Sequence, residues 1–207
     1  MNRIRLILVR HGQTEYNNLH KIQGSSNIDL NQTGRDQAKN IKLVYNIDKF
    51  YHTSLNRSKE TLKIMLENYN NNISIEENDL LIERSYGIFE GLTENEIKEK
   101  YSDLYTKWKE NVNTDILNAE KVENVVERIN KFINLLISKK DKIVLCVTHS
   151  GVLHSLYKYI NNIDYSEYIN IDFKNCSFSF LDIYFDDSDN CKNLSFTVND
   201  IKYEKEL

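Results

Sequence analysis

Two histidines, two arginines and one glutamate are the residues of this sequence most able to do chemistry together. His11 ends the nearly continuous apolar run Ile4, Leu6, Ile7, Leu8, Val9, preceded by Arg10 and followed by Gly12. His149 ends a second apolar run at 143–147, between Thr148 and Ser150-Gly151. Such runs read as buried strands of a parallel sheet, and open α/β sheets place their ligands at the C-terminal edge of those strands. Arg57 falls in the first turn of an expected helix. The helix dipole does not favour a cation there, so the position makes sense if an anion binds at the helix start. Two imidazoles and two guanidiniums facing one pocket suit a dianionic phosphate. Neutral imidazole is a competent nucleophile at phosphorus, and flanking cations offset the charge of an in-line transfer.

Plainer readings stand beside this one. A lone strand-end histidine is ordinarily a satisfied structural residue, but two histidines and two arginines at matching element ends weigh against that. A metal site is the rival use of two histidines. Arginine beside each candidate ligand would repel a divalent cation, and no acidic cluster accompanies them. Taken alone, Glu83 reads as a solvated surface carboxylate. His20, His52 and His154 receive no role, and Tyr101, Tyr105 and Trp108 read as core rather than substrate wall.

The chain has 207 residues, 40% of them hydrophobic and 28% charged, enough for one globular domain with a real core. Its formal net charge of −4 argues against nucleic acid as a partner and requires any anion site to be locally basic. Cys146, Cys176 and Cys191 are odd in number and lack CxxC spacing, which suggests neither a zinc site nor a disulfide framework. No signal peptide is visible, and no apolar run approaches the ~20 residues of a membrane helix, so a soluble cytoplasmic protein with no membrane partner is expected. A homodimer is compatible with the sequence. There is no proline, and all six glycines (12, 24, 34, 87, 91 and 151) lie in or beside the segments singled out for chemistry. Of the 27 basic residues seven are arginine, and Arg10, Arg57 and Arg84 sit in those same segments. Arginine offers phosphate a planar fork that lysine does not.

The elements that must position these groups follow from pattern. The stretch 17–31 is polar and reads as a loop. Thr33 can cap a helix over 34–46 with Ala38, Ile41 and Val44 on one face. A short strand at 50–52 precedes a helix over 56–68, and 73–75 is a further strand candidate. A helix-prone stretch covers 93–127, where Thr93 and Glu96 fit a capping box. Val122, Val125, Val126, Ile129, Phe132, Ile133 and Leu136 keep a helical period and predict a long packed helix. A helix over 152–160 follows His149, and the tail over 168–198 alternates like two or three edge strands. With no repeat or linker visible, residues 1–207 read as one domain. Its middle, about 92–140, is expected as a small helical insertion packed over one end.

Several segments, in order, resemble the histidine phosphatase superfamily, phosphoglycerate mutase-like branch. They are Leu8-Val9-Arg10-His11-Gly12-Gln13-Thr14, Gln23-Gly24 through Leu30 to Gly34, and Ser54-Leu55-Asn56-Arg57 with Thr61. Glu83-Arg84 through Tyr86-Gly87 to Glu90-Gly91 and Val147-Thr148-His149-Ser150-Gly151 complete the set; Ala119-Glu120 is a weak match to a Gly-Glu-Ser segment. The resemblance implies an α/β three-layer sandwich with a mostly parallel central sheet flanked by helices. It implies that His11 becomes phosphorylated and that Arg10, Arg57, His149 and Asn17 hold the phosphoryl oxygens. Glu83 would protonate the leaving oxygen and then activate the hydrolytic water. Gln23, Gly24, Arg84, Tyr86 and Ser150 are implied as substrate-binding positions. No metal or organic cofactor is implied.

The sequence departs from the family pattern at Asn27 and Asp29, where Asp and Pro are frequent, and at Ser150, where Gly is common. Glu94 stands where phosphoglycerate mutases carry Lys, and the segment after Gly91 lacks their paired arginines, although Arg84 and Tyr86 match them. A mutase must hold a second anionic group, so these departures favour a metal-independent phosphomonoesterase acting on a small phosphorylated metabolite. The short insertion is similar to that of small-molecule phosphatases such as the α-ribazole phosphatases, which is analogy rather than chemistry. The alternatives are a cofactor-dependent phosphoglycerate mutase and a non-catalytic phosphate-binding domain of the same fold.

Overall fold

The computed structural model describes residues 1–67, 69 and 74–207. Seven strands form one sheet: β1 (Asn2–Arg10), β2 (Lys49–His52), β3 (Ile75–Glu77), β4 (Ile143–Thr148), β5 (Phe178–Phe185), β6 (Cys191–Val198) and β7 (Ile201–Glu206), in the order β3-β2-β4-β1-β5-β6-β7. The pairs β1–β4, β2–β4 and β2–β3 are parallel; β1–β5, β5–β6 and β6–β7 are antiparallel. The sheet is therefore mixed, and its parallel half holds β1 and β4, the strands that His11 and His149 follow.

Alternation along β1 explains the layers. Ile4, Leu6 and Leu8 point into a cluster with Val125, Phe132 and Leu136 of α6 (Val122–Lys139) and Leu153 and Leu156 of α7 (Ser150–Ile160). Ile7 and Val9 point the other way, onto Leu62 and Met65 of α3 (Asn56–Met65). Both faces are covered, so the strand reads as a continuous apolar run. Each fully buried aliphatic side chain contributes about 1.5–3 kcal/mol, which anchors the strand end that bears His11.

The short helix α1 (Glu15–Asn18) closes with a capping box in which Thr14 and Asn17 bond reciprocally. Helix α2 (Gln32–Lys39) is shorter and starts earlier than the expected 34–46, because Asn31, not Thr33, caps it by accepting from the Gly34 N–H at 2.9 Å. Val44 lies beyond its end and is exposed. Helix α3 ends at Met65, and Asn68 and Ile73, at the margins of the expected helix and strand, lie outside the described residues. The segment 92–140 divides in two. The helices α4 (Glu94–Lys100), capped as a box by Thr93 and Glu96, and α5 (Ser102–Glu110) pack around Phe89, Ile97 and Ile116, whereas α6 belongs to the main core. The tail holds three strands, preceded by an irregular strap over 161–177. Among the described residues no helix is long and apolar enough to cross a membrane.

Candidate active site

Register brings the two histidines together. Arg10 of β1 pairs with Thr148 of β4, so the next residue of each strand emerges at the same edge. The His11 N–H bonds the Thr148 carbonyl at 3.0 Å, and the two imidazole centroids lie 5.3 Å apart. His11 Nδ1 sits 2.7 Å from the Gly12 carbonyl oxygen. A carbonyl only accepts, so Nδ1 carries the proton and Nε2 holds the free electron pair. His149 Nε2 lies 2.9 Å from the Thr53 hydroxyl, one residue past β2 on the neighbouring strand.

Arg57 is fully buried at the start of α3. Its Nη1 donates to the Ser26 carbonyl at 2.6 Å and its Nη2 to the Gly24 carbonyl at 2.8 Å, which aims a fixed guanidinium at the strand edge. Arg10 is held from the other side, its Nη1 donating to the Phe173 carbonyl of the strap. Buried polar groups are normally paired. Six buried side-chain nitrogens or oxygens among the described residues have no partner in the protein, and three of them are Arg10 Nε, Arg57 Nε and His149 Nδ1. Three of the six therefore belong to the two arginines and to one of the two histidines singled out in the sequence.

Glu83 is buried rather than solvated. Its Oε1 accepts from the Arg84 N–H at 2.8 Å and its Oε2 from the Gly151 N–H at 3.3 Å, in the first turn of α7. Glycine at 151 leaves room for this carboxyl, since a Cβ would stand 2.5 Å from Glu83 Oε1. Arg84 donates from Nε to the Glu120 carbonyl and from Nη2 to the Val112 carbonyl, with its cation 5.2 Å from the Tyr86 ring. Arg84, Tyr86 and Gly151 line a cavity of about 450 Å³ together with Trp108 and residues of the strap. Trp108 thus lines the cavity as well as packing on Phe89, at 5.4 Å between centroids, while Tyr101 and Tyr105 stay with that cluster.

Burial sets the electrostatics. It pushes His11 well below the usual histidine range, and the nearby Arg57 and Arg10 push it further, so the imidazole is neutral and nucleophilic. His149 is lowered in the same way by burial and by Arg57. Burial raises Glu83 against the opposing pull of Arg57, so its carboxyl keeps a proton to higher pH than an ordinary glutamate. Arg57 is lowered by burial to about 10 and remains a cation at neutral pH.

The remaining predicted positions lie around this centre. Asn17 uses its Oδ1 in the α1 cap and accepts from Asn175 at 3.3 Å, which leaves the Nδ2 end of the amide as its donor. Gln23 accepts from the Thr14 hydroxyl at 2.9 Å, within the loop that supplies the Gly24 carbonyl. Ser150 begins α7, with its hydroxyl 3.3 Å from His154 Nδ1. Gly24 has φ +52°, and a Cβ there would meet Glu90 at 2.1 Å.

Four contributions were not assigned from sequence. Glu90 gathers bonds from Ser25, Ser26, Ser85 and the Tyr86 N–H, tying the Arg57-binding loop to the Glu83 segment. Burial raises its carboxyl, but these bonds outweigh that and hold it below the usual range. Thr53 orients His149, and its position straight after a strand at the same edge was the available signal. Thr61 accepts from the Gly12 N–H at 3.0 Å, one helical turn after Arg57. The strap's Phe173 carbonyl and Asn175, which donates to the His11 carbonyl at 2.8 Å, carry no sequence signal. His154 bridges the Ser150 and Ile171 carbonyls, and His20 and His52 stand outside the constellation. Among the described residues no group of three or more His, Cys, Asp or Glu could hold a metal ion.

This chain is similar to known proteins over most of its length. A 2,3-bisphosphoglycerate-dependent phosphoglycerate mutase of Cytophaga hutchinsonii is 30% identical over 174 residues, covering 81% of this chain and 82% of that protein. Phosphoserine phosphatase 1 of Hydrogenobacter thermophilus is 26% identical over 181 residues, covering 85% of each. In fold, a mycobacterial glucosyl-3-phosphoglycerate phosphatase superposes with a TM-score of 0.75 at 21% identity, covering 89% of this chain and 92% of that one. Residues 6–193 match the sequence profile of the histidine phosphatase superfamily (branch 1), and the chain belongs to that family.

Proposed function

We propose that this protein is a metal-independent phosphomonoesterase that hydrolyses a small phosphorylated metabolite through phospho-His11. One observation carries the reading. The partnerless buried nitrogens of Arg10, Arg57 and His149 gather around an imidazole whose Nε2 electron pair is kept free by the Gly12 carbonyl. Nε2 attacks phosphorus as the phosphorus–oxygen ester bond breaks, and the departing oxygen takes the Glu83 proton. Glu83, now a carboxylate, takes a proton from water as that water attacks phosphorus and the phosphorus–nitrogen bond breaks. Arg10, Arg57, His149 and Asn17 hold the phosphoryl oxygens through both steps. A carboxyl serving as acid and then base needs a raised pKa, and the burial of Glu83 supplies it.

Phosphoglycerate mutation is the second reading, favoured by the Cytophaga relative and by the matching Arg84 and Tyr86. Against it, Glu94 stands where the resemblance gives mutases a lysine and is bonded to Tyr105 and Lys109, so this position supplies no unpaired cation for a second phosphate. The test is phosphate release in EDTA from p-nitrophenyl phosphate, α-ribazole phosphate, 3-phosphoglycerate and sugar phosphates. Release by wild type that disappears in His11→Ala is expected. Isomerised phosphoglycerate that forms only with added 2,3-bisphosphoglycerate, without release to water, would establish the mutase instead.

A further inference from the structure

The strap over 161–177 runs beside the segment that carries Arg10, His11 and Asn17. Most of its contacts there use its backbone. The Phe173 carbonyl accepts from Arg10 Nη1, the Cys176 N–H donates to the Arg10 carbonyl at 2.9 Å, and the Ser177 carbonyl accepts from the Arg10 N–H at 3.2 Å. Asn175 differs. Among the described residues it is the one strap side chain hydrogen-bonded to this segment, and both of its bonds leave from Nδ2.

The first bond is an anchor. Asn175 Nδ2 donates to the His11 carbonyl at 2.8 Å, and since a carbonyl only accepts, the nitrogen of the amide must face it. The same peptide unit is held on its other side by Thr61, which accepts from the Gly12 N–H at 3.0 Å. The second bond is a pointer. The remaining hydrogen of Nδ2 reaches Asn17 Oδ1 at 3.3 Å. That oxygen also accepts from the Thr14 N–H at 3.2 Å. A backbone N–H only donates, so both neighbours require the oxygen of the Asn17 amide to face them, and its Nδ2 is turned the other way. An amide that could rotate would present its oxygen to a phosphoryl group half of the time, and an oxygen facing an anion repels it. One bond from the α1 cap and one from the strap fix the orientation.

From this we infer that Asn175 is a positioning residue for phosphoryl transfer: it acts through Asn17, holding that amide with its donor end free for a phosphoryl oxygen. The inference rests on the phosphomonoesterase reading, in which Asn17 holds the phosphoryl group, and goes beyond it by giving the strap a part in the reaction.

The test is a double-mutant cycle on the whole chain. It reads kcat/KM for acetyl phosphate and p-nitrophenyl phosphate, whose leaving groups need little protonation, and the inhibition constant of orthovanadate. Asn175→Ala is expected to lower kcat/KM and to weaken orthovanadate by about tenfold each. In the Asn17→Ala background the same change is expected to cost less than about threefold, because no amide is left to orient and Thr61 still holds the peptide after His11. The cycle is repeated with Asn175→Asp, which keeps the shape of this half-buried side chain but offers only acceptors to Asn17 Oδ1, and should lose at least as much. A merely structural tie would multiply its loss onto that of Asn17→Ala. Unchanged activity in the Asn175 variants, or a tenfold loss that persists in the Asn17→Ala background, overturns the inference and leaves the phosphomonoesterase reading standing. A wild type that turns over neither ester overturns that reading and this inference with it.

Discussion

Gly151→Ala separates the acid from the rest of the machinery. The added Cβ would lie 2.5 Å from Glu83 Oε1, where ordinary contact begins at 3.4 Å, so the oxygen must withdraw by about 0.9 Å. The methyl is fixed by the backbone of α7 and would also have Arg84 Cβ and the Tyr86 hydroxyl only 3.2 Å away. A misplacement of about 1 Å in a catalytic group costs roughly 100-fold in rate, or about 2.7 kcal/mol of barrier. The helix itself tolerates the change, since alanine is up to about 1 kcal/mol better than glycine within a helix. The assay compares kcat/KM for an alkyl phosphate with that for p-nitrophenyl phosphate, whose leaving group needs little protonation. The alkyl ester should fall about 100-fold and the aryl ester less than about tenfold, with the melting temperature within about 4 °C of wild type. An equal fall for both esters, or an unchanged alkyl ester, refutes the placement of Glu83 as the acid.

Further outcomes follow from the same geometry. Arg57→Lys removes the fork that bonds both Gly24 and Ser26, and should weaken competitive inhibition by orthovanadate and lower kcat/KM by about 100-fold; full retention of both would show that Arg57 only ties the loop. Thr53→Val removes the hydroxyl at His149 Nε2 and should lower kcat by about tenfold for about 1 kcal/mol of stability in urea unfolding. The pKa of Glu83 is raised in the folded state, so between its ordinary value and the raised one the folded chain holds a proton that the unfolded chain has released. Stability contributed by this group is lost as pH rises through that window. Glu83→Gln should therefore melt above wild type on the alkaline side, and the gap should close on acidification. For the same reason wild-type kcat/KM with alkyl esters should decline as pH rises through the Glu83 transition, and a flat profile would show that no proton is donated.

The sequence carried the strand ends and the charged groups well. The run before His11 is buried on both faces and had to be central, and a second run with the same ending had to lie near it; parallel register then set the ring separation. Arg57 was legible because a cation at a helix start is unfavourable without an anion. Glu83 was not legible by itself, since a glutamate in a polar stretch gives no hint of burial; only its place in the family motif marked it. The irregular strap was invisible for a different reason. Its Phe173 carbonyl holds Arg10 through backbone, which any residue type can supply. Helix ends were misread where a better cap competed, as with Asn31 over Thr33. The cavity wall depends on which carbonyls Arg84 and Lys158 reach, a matter of tertiary distance rather than local pattern.

Covalent capture of the phosphorylated enzyme tests the central claim most directly. Wild-type protein would be mixed with acetyl phosphate or p-nitrophenyl phosphate, quenched in alkali to preserve phosphohistidine, digested, and read by mass spectrometry. The account predicts one phosphoryl group on the peptide containing His11, sited on the imidazole, formed faster than turnover and absent from His11→Ala. Turnover that proceeds without any phosphorylated peptide, or with the phosphoryl group on a different residue, would contradict it.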